Sequence, residues 1–268
     1  MKALVLSTLL VSLTAAADPV IIPRTTIHHL TAKTNGIAYK LYVSLPPGYE
    51  EGKDRYPVVY LLDADYSFAI AHNVVEHLAG RNDLRWAILV GIAYDGPPQY
   101  RLNRTRDYTP THTLEGGYGP EYQKHSGGGP KFHAFLRDEL LPLIDGTYRS
   151  SGERVLVGHS YGGLFASWML LTAPDLFSGY VVVSPSLWYD DRMMFELQKK
   201  ETPKPKGRAH FAVGSIENPM MSTDLRRFTT KLQGRKYDVR REIMDDETHN
   251  SLFPGALSRG LRWVMRGR

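Results

Sequence analysis

The 268-residue chain contains no cysteine. That absence excludes disulfides, cysteine-held metals and lipid attachment through a cysteine. No two histidines have zinc-binding spacing either: His72 and His77 stand five apart, and His28 and His29 point to opposite faces of a strand. No metal and no cofactor are therefore expected. There is no internal repeat, no low-complexity tract and no Pro/Gly-rich linker, so residues 18–268 read as a single domain. The net charge is +5, but its 33 basic residues are scattered rather than gathered into an arm, and no nucleic-acid partner is expected. The apolar run Ala3 to Leu13 is too short to anchor the chain across a bilayer. Met1-Lys2 precedes it and Ala15-Ala16-Ala17 follows it, the three-part pattern of a secretory signal peptide over residues 1–17. The mature protein is expected in the periplasm or secreted, with no stable membrane anchor after cleavage.

The stretch around which the chain is organised is Arg154-Val155-Leu156-Val157-Gly158-His159-Ser160-Tyr161-Gly162-Gly163. An apolar, β-branched run ends in Gly-His-Ser-Tyr-Gly and a helical pattern follows at once. A serine at such a strand–turn–helix apex stands clear of both elements only when its flanks are small, and Gly158 and Gly162 meet that need. The helix also aims its first N–H groups at the place where negative charge develops in acyl transfer.

The apolar runs Val58 to Leu62, Trp86 to Ala93, Gly179 to Ser184, His210 to Ser215 and Tyr237 to Met244 read as further strands, preceded by alternating segments at Thr25 to Ala32 and Ile37 to Leu45. Helical patterns lie between them: Ala69 to Leu78, Lys131 to Asp145 with Pro142 as a bend, the helix after Ser160 to Thr172, Thr223 to Leu232, and Leu252 to Val264. This alternation predicts an α/β class protein: a mostly parallel central sheet with helices on both faces, and reactive groups beyond the carboxyl ends of the strands. Tyr94 to Gly129 shows no periodicity and reads as a long loop insertion covering the active site.

A serine hydroxyl needs a base within reach, oriented by a third group, and in this architecture the three follow in the order Ser, acid, His. His249, just after the last strand, has the base's position; His210 opens a strand at the wrong end of the sheet. Glu217, just past the preceding strand, is the candidate acid, with Asp224, Asp190 and Asp191 as alternatives. The backbone amides of Tyr161 and Asp65 are nominated for the oxyanion hole. The chemistry is that of a serine ester hydrolase working through an acyl-enzyme on a small-molecule ester. Two other readings carry less of the sequence. Val58 to Ser67 resembles the first motif of Mg-dependent aspartyl-phosphate phosphatases, with Asp63 and Asp65 as its acids, but it leaves the serine elbow and His249 unexplained. A catalytically inactive binding protein would leave them unused.

The chain resembles the esterase family within the α/β-hydrolases that includes siderophore esterases for ferric enterobactin and salmochelin, feruloyl esterases, S-formylglutathione hydrolases and mycolyltransferases. The carriers are Tyr42-Val43-Ser44-Leu45-Pro46-Pro47-Gly48-Tyr49, Tyr60-Leu61-Leu62-Asp63-Ala64-Asp65, Arg104-Thr105-Arg106-Asp107-Tyr108-Thr109-Pro110-Thr111, the Ser160 elbow, Ser184-Pro185-Ser186-Leu187-Trp188, and His249-Asn250-Ser251. The Arg-x-Arg-Asp-Tyr-Thr-Pro and Ser-Pro-Ser-Leu-Trp segments point to the siderophore-esterase branch. The resemblance implies an α/β-hydrolase fold, Ser160 as nucleophile and His249 as base, and leaves the acid open. A short-chain or siderophore-like ester is the implied substrate; Arg104 and Arg106 would either pin their segment through salt bridges or meet a ferric siderophore's negative charge, and Trp188 would either form a wall of the site or pack in the core.

Overall fold

The computed structural model describes residues 18–200 and 207–266; the signal peptide expected over 1–17 lies outside them. The strands are β1 (Thr25–Thr31), β2 (Ala38–Ser44), β3 (Tyr56–Leu61), β4 (Ile88–Tyr94), β5 (Ser150–His159), β6 (Gly179–Val183), β7 (Arg208–Gly214) and β8 (Asp238–Met244). They form one sheet in the order β1-β2-β4-β3-β5-β6-β7-β8. β1 and β2 are antiparallel additions, and every pairing from β4 to β8 is parallel. The shift of order at β3 and β4 opens a crevice beyond the carboxyl ends of the strands, where loops from β3, β5, β7 and β8 meet.

Strand residues alternate between two apolar layers. Val58, Tyr60 and Leu156 join one, packed under the helices α4 (Gly129–Phe135), α5 (Leu141–Thr147), α6 (Tyr161–Thr172), α7 (Tyr189–Leu197) and α8 (Pro219–Gly234). Val59, Leu61 and Val157 join the other, beneath α1 (Ala64–Ala79) and α9 (Phe253–Val264). Continuous apolar runs are what strands covered on both faces require.

Two departures from the sequence reading have local causes. α1 begins at Ala64, immediately after Asp63, whose left-handed backbone (φ 57°) turns the chain directly from strand into helix. The bend expected at Pro142 is a π turn, Leu136–Leu140, joining α4 to α5, with the Leu141 N–H bonded to the Leu136 carbonyl five residues back. Pro142 has no N–H and crowds the preceding turn, so the turn widens rather than ending the helix. The region Tyr94 to Gly129 is not structureless: it holds α2 (Tyr100–Tyr108) and α3 (Pro120–Gln123).

Candidate active site

β5 delivers its last residue into the crevice, and the chain reverses into α6 through Ser160 at φ 60°, ψ −115°. Such a backbone costs energy in a non-glycine residue and persists only when its surroundings hold it. Here the Ser160 N–H donates to the Val183 carbonyl at 2.9 Å, and the Ser160 carbonyl accepts from Leu164 and Ser186. A Cβ on Gly158 would stand 2.2 Å from the Gly162 carbonyl oxygen, so the strand and helix touch backbone to backbone as the motif predicts. A Cβ on Gly162 would lie 3.2 Å from Asp63, so the first turns of α1 and α6 sit side by side. First-turn helix amides have no acceptor within their own helix, and those of Tyr161 and Asp65 belong to these two turns.

His249 lies between β8 and α9, and its Nδ1 is 2.7 Å from Oε2 of Glu217. The approach is built by the loops themselves. The Ser215 and Ile216 amides donate to the Met244 and Glu247 carbonyls, and Gly214 permits the contact, since a Cβ there would meet the Glu247 oxygen at 2.1 Å. The other carboxylate oxygen of Glu217 accepts from the Ser184 hydroxyl at 2.5 Å and from the Gly214 amide at 2.8 Å. Burial alone would raise the pKa of Glu217. The bonds from His249, Ser184 and Gly214 outweigh it and hold the carboxyl below its ordinary value, so it faces the imidazole as a carboxylate.

The alternative acids are elsewhere. Asp224 is held by Arg192 at 3.0 Å, and Asp190 accepts from the Thr111 hydroxyl; Asp190 and Asp191 sit in the left-handed turn that opens α7. His210 is fully buried on β7, 3.2 Å from Glu242.

Two cavities meet at Ser160 and His249. One, about 360 Å³, is lined by Tyr66, Tyr100, Arg104, Tyr118, His159 and Asn250 as well as the two. The other, about 440 Å³, is walled by Ser186, Trp188, Ile216, Met221 and Thr248, with Glu217 behind His249. Trp188 thus borders the site. A larger cavity of about 670 Å³ opens at the opposite ends of the strands, around Arg55, Arg85 and Arg262, and no serine or histidine lines it.

Of the two roles open to the arginines, the structure shows the internal one, although Arg104 also borders the first cavity. Arg104 is 1% exposed. It donates to both oxygens of Asp63, to the His159 carbonyl and to the Tyr118 hydroxyl, with Tyr100 stacked 4.9 Å from its guanidinium. Arg106 donates to Asp107 and Asn103. Both are ties within the protein. Asp63, whose oxygens are occupied by Arg104, is enclosed and unavailable as the attacking acid of a phosphatase. Asp65 is exposed on the first turn of α1, its carboxylate 3.4 Å from the Tyr94 amide.

The sequence reading did not single out His159, Tyr66, Tyr100 or Tyr118. For the tyrosines the available signal was aromatic density in and before the long insertion; for His159 it was a titratable residue closing a buried strand.

Residues 32–263 match the model of an esterase family described as "Putative esterase". The chain is similar to the ferri-bacillibactin esterase BesA of Bacillus subtilis, 30% identical over 267 residues, covering 91% of this chain and 90% of that one. Among solved structures it superposes on the BES protein of Bacillus cereus with a TM-score of 0.80 at 25% identity, covering 94% of this chain and all of that one. An IroE-like serine hydrolase of Shewanella oneidensis gives 0.78 at 29% identity, over 90% of this chain and 80% of that one.

Proposed function

Because this chain belongs to the esterase family, in its siderophore-esterase branch, and is therefore a carboxylic ester hydrolase with the α/β-hydrolase fold, we propose that Ser160, His249 and Glu217 carry out its chemistry. The single observation behind this reading is that Ser160, at a strained strand–helix apex, borders the same two cavities as an imidazole whose far nitrogen is held by a buried carboxylate.

In this mechanism the Ser160 Oγ attacks the ester carbonyl carbon as His249 takes its proton through Nε2. Glu217 keeps the imidazole in the tautomer with Nδ1–H and stabilises the imidazolium that forms. The oxygen of the tetrahedral intermediate gains negative charge and is received by the amides of Tyr161 and Asp65 at the paired helix starts. Collapse breaks the carbon–oxygen bond to the alcohol, which takes the proton from His249 and leaves an acyl-Ser160. Water, deprotonated by His249, then attacks the acyl carbon and releases the carboxylic acid with Ser160 restored.

For substrate we propose an ester of a ferric siderophore, because the Bacillus subtilis relative is a ferri-bacillibactin esterase and the cavity beside Ser160 carries the aromatic rings of Tyr66, Tyr100 and Tyr118, with Trp188 as the facing wall. A short-chain carboxylic ester is the second reading, favoured by one observation: Arg104 and Arg106 are engaged internally. Residues 1–17 are read as a signal peptide, with the enzyme working in the periplasm or outside the cell; no helix of the described residues is long and apolar enough to cross a membrane.

Replacing Ser160 by Ala should lower kcat on p-nitrophenyl butyrate by several orders of magnitude while the melting temperature stays near wild type. A fluorophosphonate should label Ser160 in the wild type. Full activity in the variant would remove the mechanism. A side-by-side assay of p-nitrophenyl esters and a ferric catecholate triester decides between the two substrates.

A further inference from the structure

His159 precedes the nucleophile, and the mechanism above gives it no task. Its imidazole nevertheless connects three parts of the site. Nε2 lies 2.7 Å from the backbone carbonyl of His249; a carbonyl only accepts, so Nε2 carries the proton. Nδ1 is then the free acceptor, and the Tyr66 hydroxyl donates to it at 3.3 Å. The ring lies tilted against the His249 ring with centroids 4.6 Å apart, and packs 5.8 Å from Phe253 at the start of α9. The His159 carbonyl accepts from Arg104. The residue is 6% exposed. Burial first, then the nearby His249, push its pKa down to about 3, so the neutral, single-donor form persists at working pH.

His249 sits on a loop, and its side chain is 39% exposed. Glu217 holds one ring nitrogen, which leaves the imidazole free to pivot with its backbone. A second bond, made to the backbone of the same residue, removes that freedom. We infer that His159 is a positioning residue: its Nε2–H pins the His249 carbonyl and, with Glu217, sets where the base presents its Nε2 to Ser160. Tyr66 contributes by fixing the tautomer that makes this bond. The inference rests on the reading of Ser160 and His249 as nucleophile and base.

The expected consequence is a loss in turnover without a loss in substrate binding, because His159 acts through the base. Misplacing a reacting group by an ångström costs up to about 100-fold in rate. Three substitutions separate the donor from the volume it fills. Glutamine carries an amide N–H close to where Nε2 stood, asparagine is too short to bring one there, and phenylalanine keeps a ring with no donor. On p-nitrophenyl butyrate, His159→Asn and His159→Phe should lower kcat by about 10- to 100-fold with KM little changed, and His159→Gln should recover most of the loss. The inference is overturned if His159→Asn keeps wild-type kcat, if His159→Gln is as slow as His159→Asn, or if KM rises while kcat holds. Circular dichroism and melting accompany each variant, and should His159→Phe fail to fold, the glutamine–asparagine pair decides. Ser160→Ala, run alongside, separates the two claims. If it remains active, the nucleophile assignment fails. If it is inactive while His159→Asn is fully active, only the positioning role fails.

Discussion

Arg104 and Asp63 face each other beside the turn that carries Ser160, Nε to Oδ1 at 2.7 Å and Nη2 to Oδ2 at 3.2 Å, with neither side chain more than 2% exposed. One comes from α2 in the long insertion and the other from the end of β3. The pair, extended by the bond to the His159 carbonyl, fastens the insertion to the turn that carries Ser160.

Arg104→Ala should therefore act on stability before specificity. Removing one partner of a buried pair leaves an uncompensated charge and costs about 3–5 kcal/mol. Urea unfolding should show that loss, with activity falling equally on a neutral p-nitrophenyl ester and an anionic ferric catecholate ester. A selective rise in KM for the anionic substrate, at unchanged stability, would return Arg104 to the substrate.

Glu217→Gln should cut kcat by at least about 100-fold, since a neutral amide neither stabilises the imidazolium nor enforces its tautomer. Asp224→Asn should leave kcat near wild type and only lower the melting temperature, because Asp224 answers to Arg192. The reverse ranking in steady-state kinetics would refute the assignment of the acid.

Stability should fall as the medium is acidified below neutrality. Burial lowers the pKa of His159 to about 3, and burial also lowers those of His72, His133 and His210. Below about pH 6.5 the unfolded chain takes up protons that the folded protein refuses, so stability rises with pH across this window and drops on acidification. Each such group contributes a slope of up to about 1.4 kcal/mol per pH unit. Glu217, held low, adds a loss of the same sign at more acidic pH: its contribution is present above the unfolded carboxyl value and disappears as pH falls through the folded one. Urea midpoints from pH 8 to pH 4 should trace this fall, and His159→Gln should flatten it. A level profile between pH 7 and pH 5 would contradict it.

Two glycine substitutions should act in opposite directions. In Gly158→Ala the new methyl meets backbone at 2.2 Å, which cannot yield as a side chain would, so the elbow deforms and activity and melting temperature both drop. Gly146, exposed near the end of α5, has nothing within 4 Å of the place a Cβ would take, and Gly146→Ala should stabilise by up to about 1 kcal/mol. Thermal melts of the two variants check the contrast.

Much of this protein is written locally. Short apolar β-branched runs bounded by turn residues favour buried strands, which makes Val58–Leu62 and Gly179–Ser184 visible as such, and glycines on both sides of Ser160, set between a strand and a helix, fit a turn where two backbones touch. His249 follows as the candidate base from chain order once the elbow is recognised. Other features depend on partners distant in sequence. α2 buries Arg104 and Asp107, side chains that no apolar periodicity would mark, because their desolvation is offset by contacts with Asp63, His159 and Tyr39. In one dimension chain order favours Glu217 as the acid but leaves Asp224, Asp190 and Asp191 open. Only the close approach of the β7 and β8 loops, through Gly214 and Glu247, places one of them against His249. The same packing gives His159 a carbonyl to hold, and Arg104 meets Asp63 only where α2 comes against the end of β3. Local backbone and burial preferences are carried by neighbours in the chain, whereas a hydrogen-bond partner thirty to ninety residues away exists only once the sheet has brought its loops together.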